Sequence, residues 1–183
     1  MNRWHELLAD VEAQAEAQAE REREGHASER TRLEVARTLL VERFTAAVGD
    51  QIQISIGAAG PVRGIVESVG PDWVLLGDAG AGHEHLVMLA AVTSVTGLGP
   101  QARSVESSAV LDRLDAAWAL RRLARDRAQV RLRVRDGQAH GGTLEAVGTD
   151  YLDLVDDSIP AARDSRARSV TVRLAALAVL TRT

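Results

Sequence analysis

One stretch of this sequence recurs, and the recurrence limits the possible folds more than any other feature. Gly64 to Asp78 (GIVESVGPDWVLLGD) and Gly142 to Asp156 (GTLEAVGTDYLDLVD) are identical at seven of fifteen positions, at a constant offset of 78 residues. Upstream, Ile52, Ile54 and Ile56 align with Val130, Leu132 and Val134 at that same offset. Downstream, the run Leu89 to Val92 aligns with Leu174 to Leu177 at an offset of 85, so the second copy has seven extra residues in the loop holding Pro160 and Arg163. Such a chain is expected to use one supersecondary module twice.

Each copy reads as five short strands. Residues 51–56 and 129–134 alternate polar and apolar, the period of a half-buried strand. A strand then runs from Gly64 to Val69 in the first copy and from Gly142 to Val147 in the second. Gly70-Pro71-Asp72 and Gly148-Thr149-Asp150 supply turns, where glycine tolerates positive φ and Asp can close an Asx turn. Trp73–Leu76 and Tyr151–Leu154 give third strands, His85–Leu89 and Ser169–Leu174 fourth ones. Val92–Thr96 and Leu177–Thr181 complete the sets. Five hairpin-linked strands in so short a span predict a small closed barrel, which leaves no sheet edge exposed.

Helices are predicted ahead of each copy. Thr31-Arg32-Leu33-Glu34 fits a capping box, followed by Leu33, Ala36, Leu40 and Phe44 on one face. Ser107 or Ser108 can cap a second helix reaching Arg125, with Leu111, Leu114 and Trp118 on its apolar side. Residues 1–30 read as an N-terminal helix. Its Trp4, Leu8, Val11 and Ala15 follow the spacing of a coiled-coil seam, which serves equally for self-association or for folding back on a neighbour.

Composition narrows the function. No Cys is present among the 183 residues, which excludes disulfides, thiolate metal sites and a Cys nucleophile. No apolar leader or membrane-length run occurs, so a cytoplasmic location and no membrane partner are expected. The net charge is −4, and every one of the 22 basic residues is Arg. Residues 48–100 hold one Arg against five acids, whereas residues 101–183 hold 14 against 11. A polyanion would therefore be attracted, if anywhere, to the second copy.

The run from Arg63 to Leu76, followed by Val87 to Val95, resembles the Sm-like family, most closely its bacterial host-factor branch. The resemblance covers residues 31–97 and again 107–181, and rests on glycine and apolar spacing. It implies a mainly β fold with helices: an N-terminal helical segment (1–30), then two tandem Sm-like (SH3-like) five-stranded small barrels. Each barrel is expected behind its own helix, over residues 31–99 and 105–183. The family joins barrels edge to edge into rings that bind RNA. Its RNA-reading positions are occupied here by Gly70 and Val74, and by Gly148 and Leu152, so any RNA contact must use another surface. The whole chain also resembles a group of actinobacterial proteins, some labelled Fis-type transcriptional regulators, although no helix-turn-helix suited to a major groove is apparent.

The arginines are the main candidates for chemistry. Arg121, Arg122, Arg125, Arg127, Arg131, Arg133 and Arg135 fall within fifteen residues, opposed only by Asp126. Alternation places Arg131, Arg133 and Arg135 on one outward strand face, with Val130, Leu132 and Val134 inward. Arg163, Arg166 and Arg168 in the long loop extend this nucleic-acid-binding candidate. An ordinary account also exists, because arginines suit a helix C-terminus and can pair across a sheet with Glu145 or Asp153. His83 and His85 share a strand face but lack a third metal ligand, so no metal or cofactor is expected. No catalytic motif is present, and the chain is read as a non-enzyme. The expected function is nucleic-acid association, RNA included, through Arg–phosphate contacts of the second barrel. The alternative is a protein scaffold or oligomerisation module that uses barrel edges and the N-terminal helix.

Overall fold

The computed structural model describes residues 35–78, 80, 82–103, 114–157 and 168–182. The predicted coiled-coil segment, the Thr31–Glu34 capping box, Ser107, Ser108, Arg163 and Arg166 lie outside them. Residues Met1–Leu39 and Leu40–Thr183 form two separate units, and all the strands belong to the second. Among the described residues no helix is long and apolar enough to cross a membrane.

Among the described residues, ten antiparallel strands form one open sheet. In chain order they are β1 Gln51–Ser55, β2 Pro61–Val69, β3 Trp73–Gly77, β4 Glu84–Met88, β5 Ser94–Thr96, β6 Gln129–Val134, β7 Ala139–Val147, β8 Tyr151–Asp156, β9 Ser169–Arg173 and β10 Leu177–Arg182. Among the described residues of this unit, two helices accompany them, α1 Leu40–Ala46 and α2 Ala116–Arg125. The spatial order is β5-β1-β2-β3-β4-β10-β6-β7-β8-β9. Read by repeat, the first copy runs 5-1-2-3-4 and the second runs 10-6-7-8-9, the same order twice.

The duplication extends to irregular detail. The β2/β3 register slips between Val66 and Ser68, and the β7/β8 register slips between Leu144 and Ala146, the equivalent place. Each slip leaves one glutamate, Glu67 or Glu145, without a partner in the strand ladder, in a bulge that bends its strand. Single 3-10 turns at Leu89–Ala91 and Leu174–Ala176 match as well. The repeated glycines have a steric cause. A β-carbon at Gly64 or Gly142 would collide with the carbonyl of Gly77 or Val155 on the adjacent strand. At Gly70 and Gly148 it would collide with the ring of Trp73 or Tyr151. Neither turn glycine has positive φ, so at both turns the requirement is room for a ring rather than left-handed backbone.

The expectation of two closed five-stranded barrels, each behind its own helix, is corrected by the sheet itself. The outer strand of the first copy, β4, pairs with β10 of the second, so the hydrogen-bonding edge continues into the next copy. The register sets Val87 opposite Val179, Leu86 opposite Leu180, and His85 opposite Thr181. Val87 and Val179 are fully buried, and Leu86 and Leu180 are only 6% and 1% exposed. Each such aliphatic side chain contributes roughly 1.5–3 kcal/mol by leaving water. The buried apolar residues of both copies consequently form one continuous cluster.

The helices differ from expectation in extent and facing. Leu114 and Asp115 are not helical, and Asp115 caps α2 by accepting from Trp118 N at 2.7 Å. The buried face of α2 is Ala116, Ala117, Leu120 and Ala124, so Trp118 does not belong to it. The first copy holds the inner end of α2. Ala116 N donates to Asp72 Oδ1 at 2.9 Å, and Trp73 Nε1 donates to the Leu114 carbonyl at 2.8 Å. Burial, reinforced by the charge of Asp115, pushes the Asp72 carboxyl above its ordinary range against the opposing pull of the Ala116 bond. Beneath α2, beside the seam, lies an apolar cavity of ≈ 150 Å³ walled by Trp73, Leu75, Leu86, Leu123 and Leu180.

Candidate nucleic-acid interface

The arginine series does not form one patch. Arg133 is half-buried and turned into the seam, where Nη1 donates to the carbonyl of Ala59 in the first copy. Burial lowers its pKa from the ordinary value. Val130, Leu132 and Val134 are buried as alternation requires, at 3%, 0% and 8% exposure. The predicted outward row is nevertheless broken, because the sheet continues past β6 and Arg133 meets the other copy. Arg131 is exposed and lines a shallow polar recess with His140 and Asp157, while Arg135 is exposed beyond the strand end.

Two further arginines are spent on carboxylates. Arg127 Nη2 lies 3.0 Å from Glu145 Oε1, and Arg168 Nη2 lies 3.6 Å from Asp157 Oδ1. Arg127 also has a φ of 49°, at the position where the first copy has Gly49 with φ 95°.

What remains together is the outer face of α2. Trp118, Arg121, Arg122 and Arg125 are the exposed residues of this helix, spaced i, i+3, i+4 and i+7, so they share one side. Trp118 is 43% exposed. Arg121 Nη2 donates to the Gly148 carbonyl at 3.0 Å, which fastens this face to the β7–β8 turn. Neither Arg122 nor Arg125 meets a carboxylate among the described residues. The alignment of both arginines near the helix C-terminus is electrostatically favourable, and their heads stay in water.

Sequence reasoning assigns Trp118 to the core because it extends an apolar series through Leu111 and Leu114. The usable signal is the Trp-x-x-Arg-Arg-x-x-Arg spacing over residues 118–125, which places all four on one helical side. In the first copy the equivalent positions are Leu40, Arg43, Phe44 and Ala47. There Arg43 Nη2 donates to the Gly99 carbonyl at 2.7 Å, and Phe44 is fully buried.

Of the two histidines considered for a metal, His85 has a side-chain partner across the seam. His85 Nδ1 is 2.9 Å from Thr181 Oγ1 across the seam. Burial lowers the His85 pKa, with Arg133 adding to the effect. Among the described residues, no group of three or more His, Asp or Glu side chains is placed to hold a metal ion. No family model matches the chain, and no curated protein matches it.

Proposed function

We propose that the chain binds single-stranded nucleic acid, RNA in the first instance, on the outer face of α2 in the second copy. The observation that carries this reading is an exposed Trp118 flanked on one helical side by Arg121, Arg122 and Arg125. An indole open to solvent offers a stacking platform for any base, and guanidinium groups beside it meet the phosphates. Binding of this kind is tolerant of sequence, which suits a surface that has no fixed hydrogen-bonding pocket. The role is therefore association rather than catalysis. Arg131 and Arg135 are the other exposed members of the series and would extend the phosphate track, whereas Arg127, Arg133 and Arg168 are occupied elsewhere.

The net charge of −4 predicts modest affinity that is confined to this face. The test is a titration of fluorescent single-stranded oligonucleotides, both RNA and DNA, at several salt concentrations. Affinity falls as salt rises, and the Arg122→Gln/Arg125→Gln variant shows a shallower slope by about two counterions. Trp118→Ala weakens binding by roughly 1–3 kcal/mol without altering that slope. Absence of binding at low salt overturns the proposal.

A further inference from the structure

We infer that the apolar cavity beneath α2 is a binding site for a small uncharged apolar molecule, one aromatic ring in size. The cavity arises from the way the helix is seated. α2 packs closely on β7, and its backbone stands farther from β3, β4 and β10. Across that gap Ala119 and Leu123, on one side of the helix, face Trp73, Leu75, Leu86 and Leu180 of the sheet. The alanine is short, and a volume of ≈ 150 Å³ is left between the two surfaces. Protein interiors rarely leave such a space empty, because the lining atoms then lack contacts on one side.

Two observations favour an occupant over loose packing. First, the apolar wall is peculiar to this place in the duplicated fold. The counterparts of Leu75 and Leu86 in the second copy are Asp153 and Thr171, joined by a 2.6 Å hydrogen bond. The strands therefore form without leucines at these positions, and the leucines serve the space beneath α2. Second, the wall is fixed in advance. Trp73 Nε1 donates to the Leu114 carbonyl at 2.8 Å, which holds the indole, and Leu86 and Leu180 are buried in the seam. A site built on held side chains loses little freedom when it is filled.

The lining sets the chemistry of the ligand. Besides the apolar side chains, the charged residues Glu84 and Arg182 border the cavity, each about half exposed. The β4/β10 register sets them opposite each other, with Arg182 Nη1 3.6 Å from Glu84 Oε2. Their charges offset, so neither calls for a ligand of opposite sign. An apolar cavity of about 150 Å³ stays dry and accepts a molecule the size of benzene. A charged group placed there would lose its water without gaining a partner. Binding at this site does not depend on the nucleic-acid reading.

The experiment is thermal unfolding of the full chain titrated with toluene, and with benzoate as the charged comparison. Toluene at about ten times its Kd raises the unfolding midpoint by roughly 3–6 °C, and benzoate raises it less. Ala119→Leu fills the space from α2 and abolishes the toluene-dependent rise. Leu75→Phe fills it from β3 and has the same effect, which keeps the test intact if the first variant does not fold. Leu123→Ala enlarges the space, lowers the midpoint and retains the rise, so loss of binding is separated from loss of stability. No rise up to the solubility limit of toluene overturns the inference, as does a rise that both filling variants leave unchanged. A response to benzoate as large as that to toluene overturns the uncharged class of ligand.

Discussion

The first copy uses its side chains internally, and the second leaves the equivalent ones facing water. Trp73 is held by the Leu114 carbonyl, but its counterpart Tyr151 is 40% exposed. Leu86 is buried in the seam, while its counterpart Thr171 is exposed on an outer strand. Phe44 fills the core, while its counterpart Arg122 projects outward. Strand order, bulge and glycine positions are common to both, so they specify the backbone. The residues that differ decide which side chains the other half covers and which face water.

The largest difference between the copies should appear at the seam. Leu86→Asp buries a carboxylate among apolar side chains and is expected to cost at least ~3 kcal/mol. Thr171→Asp, the same change in the second copy, should cost less than about 1 kcal/mol because the site is solvated. Urea unfolding of both variants measures the gap, and equal losses would mean that the copies are energetically alike. Next in size is the aromatic pair. Trp73→Ala removes a packed ring and its bond to the segment entering α2, for a loss of roughly 2–3 kcal/mol. Tyr151→Ala should stay within about 1 kcal/mol in the same assay.

A smaller effect distinguishes the seam by pH. The folded-state pKa of His85 is depressed below its ordinary 6.5, so the unfolded chain takes up this proton first as pH falls. Stability from this group is complete above pH 6.5 and is lost progressively below it, levelling off once pH drops past the folded value. His85→Gln should flatten that part of a Tm-against-pH curve, and an unchanged curve would exclude His85 as its source. The smallest effect concerns Arg127 and Gly49, the pair that share positive φ. Arg127→Gly relieves left-handed strain but gives up an exposed ion pair, so stability should change by no more than about 1 kcal/mol. Gly49→Ala relieves nothing, and should be destabilising by roughly 1 kcal/mol.

Much of the backbone was legible because it depends on local pattern. The alternation of Ile52 and Ile54, and of Val130, Leu132 and Val134, marks strands and their inner faces without knowledge of the neighbours. The repeated glycines marked the turns and close strand contacts, although the reason at Gly70 and Gly148 proved to be the adjacent ring. The continuation of the sheet from one copy into the other was not legible. Alternation specifies which face of β4 is apolar, but not whether its edge meets β5 or β10. A trace of the answer was present, since Leu75 and Leu86 are apolar where Asp153 and Thr171 are polar. That contrast means the outside of the first copy is covered and the outside of the second is not. The arginine face failed in part for the same reason, because Arg133 lies where the two copies meet.

The covalent link between the halves has a consequence for the seam. Two separate chains would have to overcome dilution to pair β4 with β10. Here residues 97–115 tether the partner edge nearby, at an effective concentration on the order of millimolar. Even an intrinsically weak contact is then mostly formed at any protein level in the cell. Mutation can accordingly erode the seam a long way before the halves part. Fusion of the two copies thus makes their junction insensitive to expression level.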